Sequence, residues 1–147
     1  MPSKIKIKKL YVYDGLGFPI ILKQVTMIKV RNEWVPKIDV EDLSDLMFKL
    51  LPSKPSKLTG NEIKFLRTYL NKSKLAFAQI FMVSHTAVSK WEKSGDHPAP
   101  IEPSLEKDLR LYMKDLLNDG DEEFHQLWRD LKQSVHNRDM APLKVAL

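Results

Sequence analysis

The chain has 147 residues, of which 43% are hydrophobic and 29% charged, and these proportions are typical of a globular protein rather than a disordered one. It contains no cysteine, which excludes a disulfide framework, a thiolate zinc site and a cysteine nucleophile. The formal net charge of +5 combines +5 on residues 1–57 and +3 on residues 58–100 with −3 on residues 101–147, so the first two parts favour a polyanionic partner.

The first part of the chain, residues 1–51, carries a β-strand pattern followed by one helix. Runs of β-branched and aromatic residues, separated by turn residues, predict a strand at 5–13 and a second stretch of strand that comprises 20–22 and 25–30. Pro36 indicates that any strand around it ends there or lies at an edge. Asp39 predicts the N-cap of a helix. The apolar residues that follow share one helical face: Leu43, Leu46, Met47, Leu50 and Leu51.

A linker and three short helices are predicted next. Residues 52–57 contain two prolines and two serines, which predicts a linker or hinge. Thr59 and Glu62 have the spacing of a capping box at the start of the first helix. Ser73 and Ser84 predict the N-caps of the second and third helices. Short helices with such brief breaks favour a helix-turn-helix, and a plain helical bundle is the alternative.

The third part is predicted to be helical and acidic. Ser104 is expected to cap a helix that runs to about Leu117, and residues 118–147 are expected to form a last helix and a tail that could dimerise. The whole pattern predicts an α+β protein. It has a small β-rich domain at 1–51, a linker, an all-α helix-turn-helix domain at 58–117 and further C-terminal helices.

The candidate DNA-contacting residues lie around the third short helix. A helix that enters the major groove needs short polar or basic side chains on its exposed face. Lys74, at the start of the preceding helix, is a candidate phosphate contact. The candidates on or beside the third helix are Ser84, His85, Thr86, Ser89, Lys90 and Lys93. Lys90 is the best candidate for guanine, whereas His85 could equally be an ordinary surface residue.

Residues 83–92, with the sequence VSHTAVSKWE, resemble the XRE-type or lambda-repressor-like helix-turn-helix family. The resemblance covers roughly residues 58–117. It implies the five-helix fold of that family and a homodimer on a pseudo-palindromic double-stranded DNA operator. It also implies that the family's base-contacting positions are Ser84, His85, Thr86, Ser89 and Lys90. Met82 stands where the family commonly has glycine, and the glycine after the Trp-Glu pair is displaced to Gly95.

A second resemblance concerns the order of the parts. A β-rich region, a linker and the segment LTGNEIKFLRTYL before the helix-turn-helix are similar to the MqsA (YgiT-type) antitoxins. That resemblance implies that residues 1–51 bind a small toxin protein while the helical domain represses its own operon. The zinc-binding cysteines of those antitoxins are absent here, so no zinc site is expected.

Three classes of function follow from these patterns. The first is a toxin-binding antitoxin that represses its own operon, the second a free-standing regulator and the third a protein-interaction module that never binds DNA. No nucleophile–base pattern or metal spacing points to an enzyme, and no cofactor is expected. No apolar run predicts a membrane span, and a cytoplasmic location is expected. Near the N-terminus, a solvated strand edge is preferred to a DNA-binding arm as the role of Lys4, Lys6, Lys8 and Lys9.

Overall fold

A three-stranded antiparallel sheet begins the chain in the computed structural model, which describes residues 4–117. The strands, in spatial order, are β1 (Ile5–Tyr13), β2 (Ile20–Val30) and β3 (Glu33–Pro36). Five helices follow: α1 (Val40–Leu50), α2 (Gly60–Tyr69), α3 (Lys74–Ile80), α4 (His85–Glu92) and α5 (Pro103–Leu117). The predicted α+β class is therefore confirmed.

Backbone contacts divide the chain into two units, Met1–Lys114 and Asp115–Leu147. The predicted last helix and dimerisation segment at 118–147 lie outside the described residues. Among residues 4–117, no helix combines the length and the apolar character that crossing a bilayer requires.

The predicted second stretch of strand is confirmed as β2, Ile20–Val30. β2 is continuous across Gln24, whose φ of 57° lies in the left-handed region. Ile20 is buried before Gln24, and Val25 and Met27 are buried after it. In a regular strand Ile20 would lie on one face of the sheet and Val25 and Met27 on the other. β3 ends at Pro36 on the sheet edge, as the proline predicted.

One continuous cluster of buried side chains connects the hairpin with the helices. Phe18, in the turn between β1 and β2, meets Phe65 of α2 edge to face with ring centroids 5.3 Å apart. This geometry is favourable for aromatic pairs. The cluster runs from the hairpin turn and the start of β2 through all five helices: Phe18, Ile20, Phe48, Leu51, Leu58, Ile63, Phe65, Leu66, Phe77, Ala78, Phe81, Val88, Trp91, Ala99, Ile101, Leu109 and Met113.

Helix α1 begins as predicted and buries only part of its predicted apolar face. The Asp39 carboxylate accepts a hydrogen bond from the Asp42 backbone N–H at 3.1 Å, so the predicted N-cap is confirmed. Of the predicted apolar face, Leu43 and Met47 pack against the core cluster and Leu51 is buried. Leu46 and Leu50 are instead 48% and 50% exposed. Within the helix itself the buried residue is Phe48, whose ring stacks on Tyr69 of α2 at 4.2 Å. The helix therefore packs through an aromatic contact that its leucine spacing did not indicate.

The prediction that Ser104 is the N-cap of α5 is wrong. The helix begins at Pro103, and Ser104 lies inside its first turn with an exposed side chain. The Glu106 N–H donates to the Glu102 carbonyl at 2.9 Å, which places the helix start before the serine. Proline is favoured at the first helical position because it has no N–H to leave unpaired.

The predicted linker is fixed to the helices. Residues 52–57 begin in a 3-10 turn, Leu51–Ser53, in which Leu51 and Pro52 are buried. The Lys54 ammonium donates to the Glu62 carboxylate at 2.7 Å. The Arg110 guanidinium donates to the carbonyl oxygens of Lys54 and Ser56. Whether this segment ever acts as a hinge stays a prediction.

The Arg110 contacts give a stability prediction. Arg110→Ala leaves two carbonyls without their donor, and we expect the free energy of unfolding to fall by ~1–3 kcal/mol. Hydrogen exchange at residues 54–57 should accelerate in the same variant. Lys107→Ala, at an exposed position on the same helix, is the control and should change neither quantity. Equal behaviour of the two variants in urea unfolding would show that Arg110 does not hold the segment.

Candidate nucleic-acid interface

Helices α3 and α4 each begin at a serine that caps them. The Ser73 hydroxyl accepts from the Ala76 N–H at 3.1 Å, and the Ser84 hydroxyl accepts from the Ala87 N–H at 3.2 Å. Serine is favoured at this position because its oxygen satisfies an N–H that the helix leaves unpaired. Both predicted caps are confirmed, and with them the starts of the two helices.

The turn between α3 and α4 depends on Met82. Its φ is 56°, and the N–H groups of Val83 and Met82 donate to the carbonyls of Ala78 and Gln79 at 3.0 and 3.3 Å. These two bonds form a Schellman motif, in which the left-handed residue is usually glycine. Met82 adopts this conformation although its side chain makes it unfavourable. The turn is therefore regular without the glycine.

One side of α4 is buried against the rest of the first unit. Val88 is fully buried and Trp91 nearly so. Ala78 of α3 is also fully buried, and α3 packs against α4. Phe77 and Phe81 meet edge to face at 5.0 Å beneath this contact. The apolar side of α4 is therefore fixed, which determines the side that faces solvent.

The predicted contact residues lie on the opposite side of α4. His85, Thr86, Lys90 and Lys93 are exposed, and Ser89 is partly exposed. In chain order, neighbouring members of this set are one, three, one and three residues apart, and this spacing places all five on one helical face. Ser84 is exposed at the N-cap, and Lys74 is exposed at the first residue of α3. The structure thus brings six of the seven predicted residues to one helix and leaves Lys74 on the neighbouring one.

The solvent-facing side of α4 carries no acidic side chain. Residues 72–91 contain no aspartate or glutamate but include Lys72, Lys74 and Lys90. The next acidic residue, Glu92, is paired with Arg67 and is nearly buried. A negatively charged ligand approaching α4 would therefore meet cations without local repulsion.

An ion pair connects the end of α4 to α2. The Arg67 guanidinium donates from Nε and Nη2 to the two Glu92 oxygens at 2.7 and 2.9 Å, and from Nη1 to the Lys72 carbonyl at 2.9 Å. The side chains are only 11% and 6% exposed. The hydrogen bond to Glu92 raises the pKa of Arg67 above its ordinary value although burial lowers it, so the guanidinium stays charged.

Gly60 allows the start of α2 to approach the end of α4. A β-carbon at Gly60 would overlap the Trp91 carbonyl oxygen and lie 2.9 Å from the Gly95 nitrogen. The Asn61 N–H also donates to the Gly95 carbonyl at 2.9 Å. Backbone therefore packs directly on backbone here, which only glycine permits. Together with the ion pair, this contact fixes how α4 is oriented on α2.

Sequence reasoning missed these two supporting contacts. Arg67 and Glu92 lie 25 residues apart, so no helical periodicity relates them. The one usable signal was Gly60 itself, because glycine in the first turn of a capped helix requires a reason such as close packing.

Within residues 4–117, no group of three or more His, Asp or Glu side chains could hold a metal ion.

Comparison with known proteins gives no assignment, since no protein-family model, curated protein or solved structure matches the chain. The family resemblances of residues 83–92 and of the order of the parts therefore stay predictions. The function has to be argued from the surface of α4 and from the sheet.

The left-handed conformation of Met82 gives a second prediction. Met82→Gly removes the steric cost, and we expect the free energy of unfolding to rise by up to ~1 kcal/mol, because glycine's greater unfolded-state entropy offsets part of the gain. Met82→Val should instead lower it by ~1–2 kcal/mol, since a β-branched residue tolerates positive φ poorly. Urea unfolding of the three proteins checks the order glycine, methionine, valine. The reverse order would contradict the assigned turn.

The ion pair gives a third prediction. Arg67→Ala leaves a nearly buried carboxylate unpaired and should lower the free energy of unfolding by ~3–5 kcal/mol. The double variant Arg67→Met with Glu92→Leu removes both charges and should recover most of that loss, because apolar residues of similar volume replace the pair. Urea unfolding measures both. A double variant as unstable as the single one would show that the pair matters through its hydrogen bonds rather than through the unpaired charge.

Proposed function

We propose that the chain is a sequence-specific double-stranded DNA-binding repressor in which α3 and α4 act as a helix-turn-helix. The observation that carries the proposal is the exposed row of short polar and basic side chains on α4, opposite a fully packed side. Thr86, Ser89 and Lys90 are short or flexible enough to contact base edges in the major groove. Bulky exposed aromatic or acidic residues, which would oppose such docking, are absent from α4.

Phosphate contacts would supply most of the affinity. Lys74 and Lys93 stand at the two ends of the α3–α4 pair, and both are exposed. Lysines in such positions orient a protein on the DNA backbone without selecting a sequence. Binding should therefore weaken strongly as salt is raised, because each neutralised phosphate releases counterions.

The proposed operator is a pseudo-palindrome bound by a homodimer. Two recognition helices in a symmetric dimer contact half-sites about 34 Å apart, one helical turn of DNA. The predicted dimerisation segment, 118–147, lies outside the described residues. The two-fold symmetry is therefore proposed from the family resemblance alone.

Residues 1–51 form the partner-binding part of the proposal. Because the order of the parts resembles that of the MqsA-type antitoxins, we propose that the partner is a small toxin protein. The chain would then be the antitoxin of a type II toxin–antitoxin pair and would repress its own operon in the cytoplasm. It is supported by aliphatic side chains that remain exposed on the hairpin formed by β1 and β2. A free-standing regulator would use the same residues for dimerisation or effector binding.

Selection from a random DNA library tests the DNA-binding part. Full-length protein should enrich duplexes that share one pseudo-palindromic motif, because base contacts by α4 distinguish sequences. Measured affinity for the enriched duplex should fall with rising salt, whereas a scrambled duplex should bind far more weakly. Failure to enrich any motif at low salt would reject sequence-specific binding and favour the interaction module.

Lys90 gives the fourth prediction. Lys90→Ala should weaken binding to the selected duplex by ~1–3 kcal/mol and relax preference at one base pair, as expected for loss of a guanine contact. Lys107→Ala, at an exposed position on α5, is the matched control and should bind normally. Fluorescence anisotropy on duplexes changed at single positions makes the measurement. Equal weakening on every duplex would show that Lys90 contacts only phosphate.

A further inference from the structure

The outer face of the β1–β2 hairpin carries an apolar patch that nothing in residues 4–117 covers. Leu10, Val12 and Ile21 are 58%, 64% and 67% exposed. Val12 and Ile21 are direct cross-strand partners. We call these three residues the hairpin patch.

The hairpin patch lies on the side of the sheet opposite to the core. Tyr13 and Leu22, the sequence neighbours of Val12 and Ile21, pack against the core cluster. Successive side chains of a strand point to opposite faces, so the patch faces away. The patch is therefore not the exposed margin of the core but a separate apolar surface.

The hairpin patch adjoins an edge of the sheet. The strand order is β1-β2-β3, so β2 is the one strand that neighbours β1 within the described residues. A long edge strand with exposed aliphatic residues is a template for pairing with another chain. Peptides that add a strand to such an edge gain affinity from main-chain bonds and selectivity from side chains.

The charge of this edge limits what can pair with it. Residues 4–13 contain Lys4, Lys6, Lys8 and Lys9 and no acidic residue. The Lys6 ammonium lies 4.4 Å from the centre of the Trp34 ring and the Lys8 ammonium 5.5 Å from that of Tyr11. Parallel pairing of β1 with β1 of a second copy would bring the two lysine groups together, and antiparallel pairing over the whole strand would place the two Lys9 side chains opposite each other. Like charges across strands are destabilising.

An acidic strand would meet the opposite condition. Its carboxylates would lie across from the lysines, and opposite charges on paired strands are stabilising. DNA fits the edge less well, because aliphatic side chains that are more than half exposed offer nothing to phosphates and protein–DNA interfaces are strongly polar. Attraction of one partner and repulsion of self-pairing by the same lysines would also provide selectivity.

We infer that β1 is the docking edge for an acidic protein segment in extended conformation, which adds a fourth strand and covers the hairpin patch. The inference rests on the partner-binding part of the proposed function, for which it names the surface and the chemistry of the partner. It is independent of DNA binding by α4.

A peptide-display experiment tests the inference with the full-length protein. A library of random twelve-residue peptides is selected at low salt, and the enriched peptides should alternate aliphatic residues with aspartate or glutamate. A synthetic enriched peptide should bind with its affinity lowered at least tenfold by Lys9→Glu and by Val12→Asp. Ile21→Ser changes the hairpin patch without altering β1, and it should also lower the affinity for the peptide. Lys49→Glu, which reverses an exposed charge on α1, is the control and should bind normally.

Other outcomes overturn the inference. Enriched peptides without acidic residues, or peptides that bind the β1 variants as well as the unchanged protein, would place the partner elsewhere. Loss of duplex binding in Lys9→Glu would make the edge a DNA contact, and loss of a homodimer in Val12→Asp would make it a self-association surface. If no DNA motif is enriched while the acidic peptides behave as expected, the DNA proposal fails and the docking edge stands.

Discussion

The contact between α2 and the end of α4 is the constraint on which the candidate interface depends. An isolated helix of eight residues is unstable in water, so α4 owes its existence and orientation to its neighbours. Gly60 brings the two backbones together near the start of α2, and Arg67 holds Glu92 further along the same helix. These two contacts hold the C-terminal end of α4 on α2, and the buried Val88 and Trp91 determine which side of α4 faces inward. The solvent-facing row that includes Thr86 and Lys90 follows from them.

Features decided within a few residues could be predicted from the sequence. Asp39, Thr59, Ser73 and Ser84 each cap the helix that was expected, because the bond joins a side chain to an N–H three residues away. The prediction for Ser104 was wrong because Pro103, immediately before it, is favoured at the first position of a helix, and α5 begins at that proline. The exposed face of α4 was also predictable, since its apolar and polar residues separate cleanly by helical spacing.

Features decided by distant partners could not be predicted. Part of the apolar face of α1 packs on the core as its spacing indicates, but periodicity alone does not say that Phe48 stacks on the ring of Tyr69. Gln24 adopts a left-handed conformation in the middle of β2, and glutamine carries no signal for that conformation. The pairing of Arg67 with Glu92 joins helices that are adjacent only in the folded chain. Sequence therefore indicated which residues could serve the interface, and the packing shows how they are held.

The aromatic contact of Phe18 with Phe65 has a thermodynamic consequence. Because the sheet and α2 share one apolar cluster, we expect them to unfold in a single cooperative transition, as small domains usually do. Any molecule that binds only the folded helices then also stabilises the sheet, by ~2.7 kcal/mol at a free concentration one hundred times its Kd. Occupancy at either surface would in this way protect the whole of the first unit against proteolysis, without any change of shape passing between the surfaces.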